Sequence, residues 1–163
     1  MKPLVALLRG WLALPRGLRA MAPIAVMALL WWSSSRQLGP DAGGPVRAFL
    51  HNGAHIVAYG GLGGTFWLAL VGLGDLGAPQ LRIANLASVA LATAYGVVDE
   101  LHQSHTPGRT CSVSDVFSDL LGALLAVAVL EVLLRRSPGF ARALPFLAVA
   151  CVAATAFATW GPW

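Results

Sequence analysis

The stretch RIANLASVALATAYGVVDELH, residues 82–102, opens on one arginine and then carries no charge until Asp99 and Glu100. A helix that crosses a membrane needs about 20 mostly apolar residues, and a lone strand of this composition would leave its amides unpaired in hydrocarbon. The stretch therefore reads as a spanning helix. So does SDVFSDLLGALLAVAVLEVLL, residues 114–134. Working outward, comparable runs cover about 49–73 and 143–160, and a shorter one with Pro23 in it covers about 20–35. The expected fold is an all-α polytopic membrane bundle of about five transmembrane helices. A basic cytoplasmic segment, 1–19, precedes a single bundle over 20–160. A signal peptide is the alternative reading of the first run: Ser33-Ser34-Ser35 suggests a processing site, whereas Trp31-Trp32 resembles an interfacial anchor. Gly, Pro and charged residues mark connectors at 37–44, 74–80, 105–112 and 135–142.

Composition agrees with this reading. Apolar residues make up 57% of the 163 positions, charged residues 11%, and the mean hydropathy is +0.70, against roughly 25% charged in soluble domains. The net charge of +4 does not point to nucleic acid, because the bases stand at helix ends rather than on one face. They report topology instead. Lys2, Arg9, Arg16 and Arg19, with Arg82, Arg135, Arg136 and Arg142, place eight bases on one side, against Arg36, Arg47 and Arg109 on the other. The positive-inside rule then puts the N-terminus in the cytoplasm and Trp163 outside. Cys111 and Cys151 form no CxxC pair and no disulfide framework. Gly60, Gly61, Gly63 and Gly64, like Ala84, Ala87, Ser88, Ala90 and Ala94, read as close-packing surfaces. No G-x-G-x-x-G is completed, so no nucleotide site is expected.

The chemistry gathers at one membrane level. In the second span Asn52, His55 and Tyr59 share a stripe, with His51 and His55 stacked at i, i+4. The third span ends there with Tyr95, Asp99 and Gln103 every fourth residue, beside Glu100 and His102, and the fourth begins with Asp115 and Asp119. Four of the seven acids and all four histidines lie in these outer segments. Intramembrane acids cost energy unless paired or wetted. Asp99 and Asp119 are the strongest cases; Asp115, in Ser112-x-x-Asp115, also fits a helix cap.

Three readings stand open. One is a pocket for a polar head group, with Arg109 taking phosphate or carboxylate and the acids taking amines or hydroxyls. The second is a structural cluster in which Arg109 neutralises Asp99 or Glu100. The third is a metal centre using His51, His55, His102 and the carboxylates. No metal motif is complete, so no metal and no other cofactor is expected. The candidate binding residues are His55, Tyr59, Tyr95, Asp99, Glu100, Gln103, Arg109, Asp115 and Asp119. Were the chain an enzyme, Glu100 or His102 would be the general base. The sequence leaves that open.

The run Tyr95-x3-Asp99-Glu100-x-His102-Gln103-x3-Pro107-Gly108-Arg109-x5-Asp115-x6-Gly122 resembles the central signature of VanZ-like membrane proteins, and His55-x3-Tyr59 resembles their earlier motif. The resemblance covers about 33–134. Where the family often has an acid and a lysine before the histidine, this chain has His51 and Asn52. The resemblance implies a multi-helix protein of the cell envelope, and its namesake is associated with low-level resistance to the glycopeptide teicoplanin. The implied partners are membrane lipids and a cell-wall precursor or other envelope component.

Overall fold

The computed structural model describes residues 2–36, 44–72, 77–107 and 111–161. Among them the chain is all helix: α1 (Lys2–Leu12), α2 (Arg16–Ser34), α3 (Pro45–Leu70), α4 (Ala78–Gln103), α5 (Val113–Arg135) and α6 (Pro138–Trp160). Each of the five apolar runs corresponds to a helix, from α2 to α6, although the runs 20–35 and 49–73 extend past the ends of α2 at Ser34 and α3 at Leu70. The basic segment ahead of them adds a sixth, α1, which meets α2 at 111°. Three described helices, α4, α5 and α6, are long and apolar enough to cross a membrane, and a fourth span arises if α1 and α2 count as one bent unit. The polar residues His51, Asn52, His55 and Tyr59 dilute the apolar character of α3.

Two connectors are shorter than their composition suggests. Residues 78–80 and 138–142 are helical, because Pro79 and Pro138 open α4 and α6 rather than interrupting a loop. Pro45 does the same for α3. Proline is suited to a first turn, where its missing N–H would have had no helical partner. Arg136 turns the chain between α5 and α6 with φ of 55°, a left-handed residue that ends α5 within one step. Gly108, Arg109 and Thr110, most of the 37–44 connector and part of 74–80 lie outside the described residues.

The bundle is built around α3 and α5, which pack more closely than any other pair. Small residues make this approach possible: a side chain at Gly63 would meet Ala123 at 2.9 Å, one at Gly60 would meet the Gly122 carbonyl at 3.2 Å, and one at Gly122 would run into the backbone of Ile56. Without a hydrophobic drive between helices in lipid, such backbone proximity is the means of association. Gly61, by contrast, faces open space.

Polarity runs inward. Val57, Ile83, Phe146 and Val149 are 66–77% exposed, while Ser88, Ser118 and Asp119 are fully buried and Glu131 is nearly so. A soluble domain this size does not expose so continuous an apolar surface. Lipid would cover it at no cost.

Candidate functional site

The start of α3, the end of α4 and the start of α5 meet at one end of the bundle, termed the site end. There a cavity of about 280 Å³ is lined by His51, His55 and Tyr59 of α3, Asp99 and Gln103 of α4, and Ser33 and Ser34 of α2. Leu30, Ala54 and Ala58 give it an apolar wall. The stripes seen in the sequence thus face one another, because residues four apart share a helix face and all three helices turn that face inward.

Two hydrogen-bonded groups organise the acids. Tyr59 Oη and Gln103 Nε2 both donate to Asp99 Oδ2, each at 3.1 Å, which ties α3 to α4. His55 Nδ1 lies 3.0 Å from Asp119 Oδ1, and its Nε2 lies 3.8 Å from Asp115 Oδ2, which ties α3 to α5. An ionised Asp119 can only accept, so it takes the Nδ1–H of His55, while Nε2 faces Asp115. Glu100 Oε2 accepts the Ser112 N–H at 2.7 Å. A donor atom from each of His55, Glu100 and Asp115 lies within 4.8 Å of the others. This is the one place among the described residues where a metal ion could be held by three such groups.

Six buried side-chain polar atoms have no hydrogen-bond partner among the described residues, and three of them are carboxylate oxygens of this cluster: Asp99 Oδ1, Glu100 Oε1 and Asp119 Oδ2. Asp119 is held tightly, since its Oδ2 would lie 2.5 Å from a side chain placed at Gly96. Buried acceptors are normally satisfied. Their concentration beside a cavity marks the site.

The remaining candidates are distributed differently. Ser112 is at the start of α5 as the S-x-x-D spacing requires, yet its hydroxyl makes no cap. It pairs with Ser114 at 2.6 Å instead, and Glu100 takes the backbone N–H, which leaves Asp115 turned toward His55. Tyr95 Oη donates to the Met27 carbonyl of α2 at 2.6 Å. His102 stacks on Trp31 with ring centres 3.8 Å apart and reaches Ser35 at 3.0 Å, on a face of α4 away from Glu100. Asn52 bonds Thr159 of α6. Arg109 lies outside the described residues.

Other buried polar groups were not singled out by sequence. At the opposite end of the bundle, Trp67 Nε1 donates to Asn85 Oδ1 at 2.6 Å and Asn85 Nδ2 donates to Glu131 Oε1 at 2.8 Å, linking α3, α4 and α5. Arg19, counted above as a topology signal, is only 3% exposed. Its guanidinium takes the Leu68 and Val71 carbonyls at 2.9 and 2.7 Å and so finishes the C-terminus of α3. The only signal for Glu131 was its isolation in an apolar run. Ser33 and Ser34 join the cavity although their sequence suggested only a processing site.

No curated protein and no solved structure matches the chain. The model of the VanZ/LLP1 family matches residues 17–135, or 119 of the 163 positions. That match begins at the start of α2, well before the motifs of α3, and ends with α5. The helices that form the site are therefore the helices that the family model describes, and this apolar, all-helical membrane protein belongs to the VanZ/LLP1 family.

Proposed function

We propose that the protein is a multi-pass component of the cell membrane that binds the polar head group of an anionic lipid or a cell-wall-related molecule in the cavity at the site end. The finer topology belongs to this proposal: five crossings, from α2 to α6 in one bundle over 20–160, with the N-terminus in the cytoplasm and the site end outside. The charge asymmetry of eight bases against three supports that orientation. Family membership favours an envelope role, including glycopeptide resistance of the teicoplanin type.

The observation that carries the reading is the cavity itself, whose lining divides between apolar Leu30, Ala54 and Ala58 and polar His51, His55, Asp99 and Gln103. A lipid head group, with its glycerol or sugar hydroxyls next to acyl or prenyl carbon, has the same division. The orphaned Asp99 Oδ1, from a residue that lines the cavity, offers an acceptor for a hydroxyl or ammonium group. Arg109, on the neighbouring connector, is the proposed partner for phosphate or carboxylate.

A structural reading competes, because the Tyr59–Asp99 and His55–Asp119 bonds also join helices. The test is thermal unfolding of the purified chain in neutral detergent with phosphatidylglycerol, a polyprenyl phosphate or phosphatidylcholine added. Binding requires a melting temperature that rises with the concentration of one anionic lipid and not with phosphatidylcholine, and a Gln103→Ala variant that folds but loses the rise. Equal response to all three lipids would leave only the structural role.

A further inference from the structure

We propose that His55, which lines the cavity, forms with Glu100 and Asp115 a binding site for one divalent transition-metal ion. The three donors come from α3, α4 and α5, and one atom of each lies within 4.8 Å of the other two. The 3.8 Å between His55 Nε2 and Asp115 Oδ2 is too long for a hydrogen bond. It suits two ligands of a shared ion, since donors each about 2.1 Å from a tetrahedral zinc-sized centre stand about 3.4 Å apart.

Two further observations point to a ligand. The first is the orientation of His55: Asp119 Oδ1 holds Nδ1 at 3.0 Å, which leaves Nε2 as the ring nitrogen facing Asp115. Metal-binding histidines are held this way by a carboxylate on the second nitrogen. The second is Glu100, 2% exposed, whose Oε2 is fixed by the Ser112 N–H while Oε1 has no partner. A buried carboxylate steered by backbone with one oxygen to spare is a ligand in waiting.

Charge makes the same demand. Asp99, Glu100, Asp115 and Asp119 crowd one helix junction, and among the described residues the only ion pairs to them come from His55. Like charges in a low-dielectric setting repel, and an anionic head group would add to the repulsion. A divalent cation removes both difficulties. One imidazole with two carboxylates suits zinc, manganese or iron(II) better than calcium or magnesium, which prefer all-oxygen shells. The ion would keep open positions, and the head-group reading, on which this last step rests, has an anionic oxygen occupy one of them.

The test uses the full chain in neutral detergent, stripped with a chelator and titrated with Co²⁺ without added lipid, read by visible absorption and by metal content per chain. The expected result is one equivalent, displaced by Zn²⁺, with affinity at least 100-fold weaker in Asp115→Asn and His55→Gln and 10–100-fold weaker in Asp119→Asn. Glu131→Gln, at the other end of the bundle, retains the full equivalent. Should His55→Gln not fold, the partly exposed Asp115 decides the matter alone. No saturable Co²⁺ binding, or binding unchanged by Asp115→Asn, would overturn the site. Adding phosphatidylglycerol then separates the two ideas: an ion bound with no lipid response sinks the head-group reading and leaves the metal site standing.

Discussion

The two ends of this bundle treat buried polar groups in opposite ways. At the end holding Trp67, Asn85, Glu131 and Arg19, each donor named is matched: indole to amide, amide to carboxylate, guanidinium to the carbonyls that end α3. None of these four residues has a buried orphan atom, and the one orphan on the neighbouring α1 is the indole N–H of Trp11, not a carboxylate. At the site end, three carboxylate oxygens are orphans, a cavity opens beside them, and one histidine mediates between acids on the same helix. Both ends spend polar groups where lipid surrounds the fold. One closes on itself, as a device for fixing helix register does; the other stays incomplete, as a binding site must.

Four experiments break or sharpen that comparison. The largest effect belongs to the joint between the two ends. Gly122→Leu forces a side chain into the Ile56 backbone, so folded protein should vanish from a size-exclusion profile, while Gly61→Leu, facing open space, should leave the profile unchanged. Overpacking by one methylene already costs about 1–3 kcal/mol; a whole leucine against backbone has nowhere to move.

Next comes the closed end. Asn85→Leu strands the Trp67 N–H and a Glu131 oxygen, at about 1–3 kcal/mol for each orphaned group. Thermal unfolding should fall accordingly, with Co²⁺ and lipid binding by the surviving folded fraction unaltered. Binding lost in step with stability would erase the division between the ends.

At the site end the order reverses. Asp99→Asn keeps an oxygen to accept from both Tyr59 and Gln103, so stability should change by less than about 1 kcal/mol, yet head-group affinity should drop at least tenfold in a lipid titration. A stability loss as large as that of Asn85→Leu would mean that this end, too, is structural.

The smallest effect is expected at the margin. His102→Phe retains the stack on Trp31 and forfeits only the Ser35 bond, so unfolding should shift by under about 0.5 kcal/mol and lipid affinity should hold. A marked loss of binding would extend the site around α4.

Much of the architecture was legible in the chain, because hydrocarbon imposes one rule on every residue inside it. Uninterrupted apolar length predicts the helices from α2 to α6, and i, i+4 spacing predicts the inward stripes Tyr95, Asp99, Gln103 and Asp115, Asp119. Helix ends were less legible: Pro79 and Pro138 read as loop punctuation because proline signals both a turn and a first helical turn. The amphipathic α1 was hidden because short helices have no length signature, and Arg19 because a base near a membrane end reads equally as a topology signal or a cap.

What the sequence by itself determined is the helical class, the membrane environment and the gathering of acids and histidines at one level, all of which follow from periodicity and hydropathy along a single segment. Only the tertiary structure decided which helices meet. Gly60 and Gly63 could have packed on any neighbour; shape complementarity chose Gly122 and Ala123 of α5. That choice brings His55 against Asp119 and Asp115, and Glu100 against the start of α5, contacts between residues that no local spacing relates. Helix formation is written in neighbours three and four apart, whereas a site shared by three helices depends on how their faces rotate against one another.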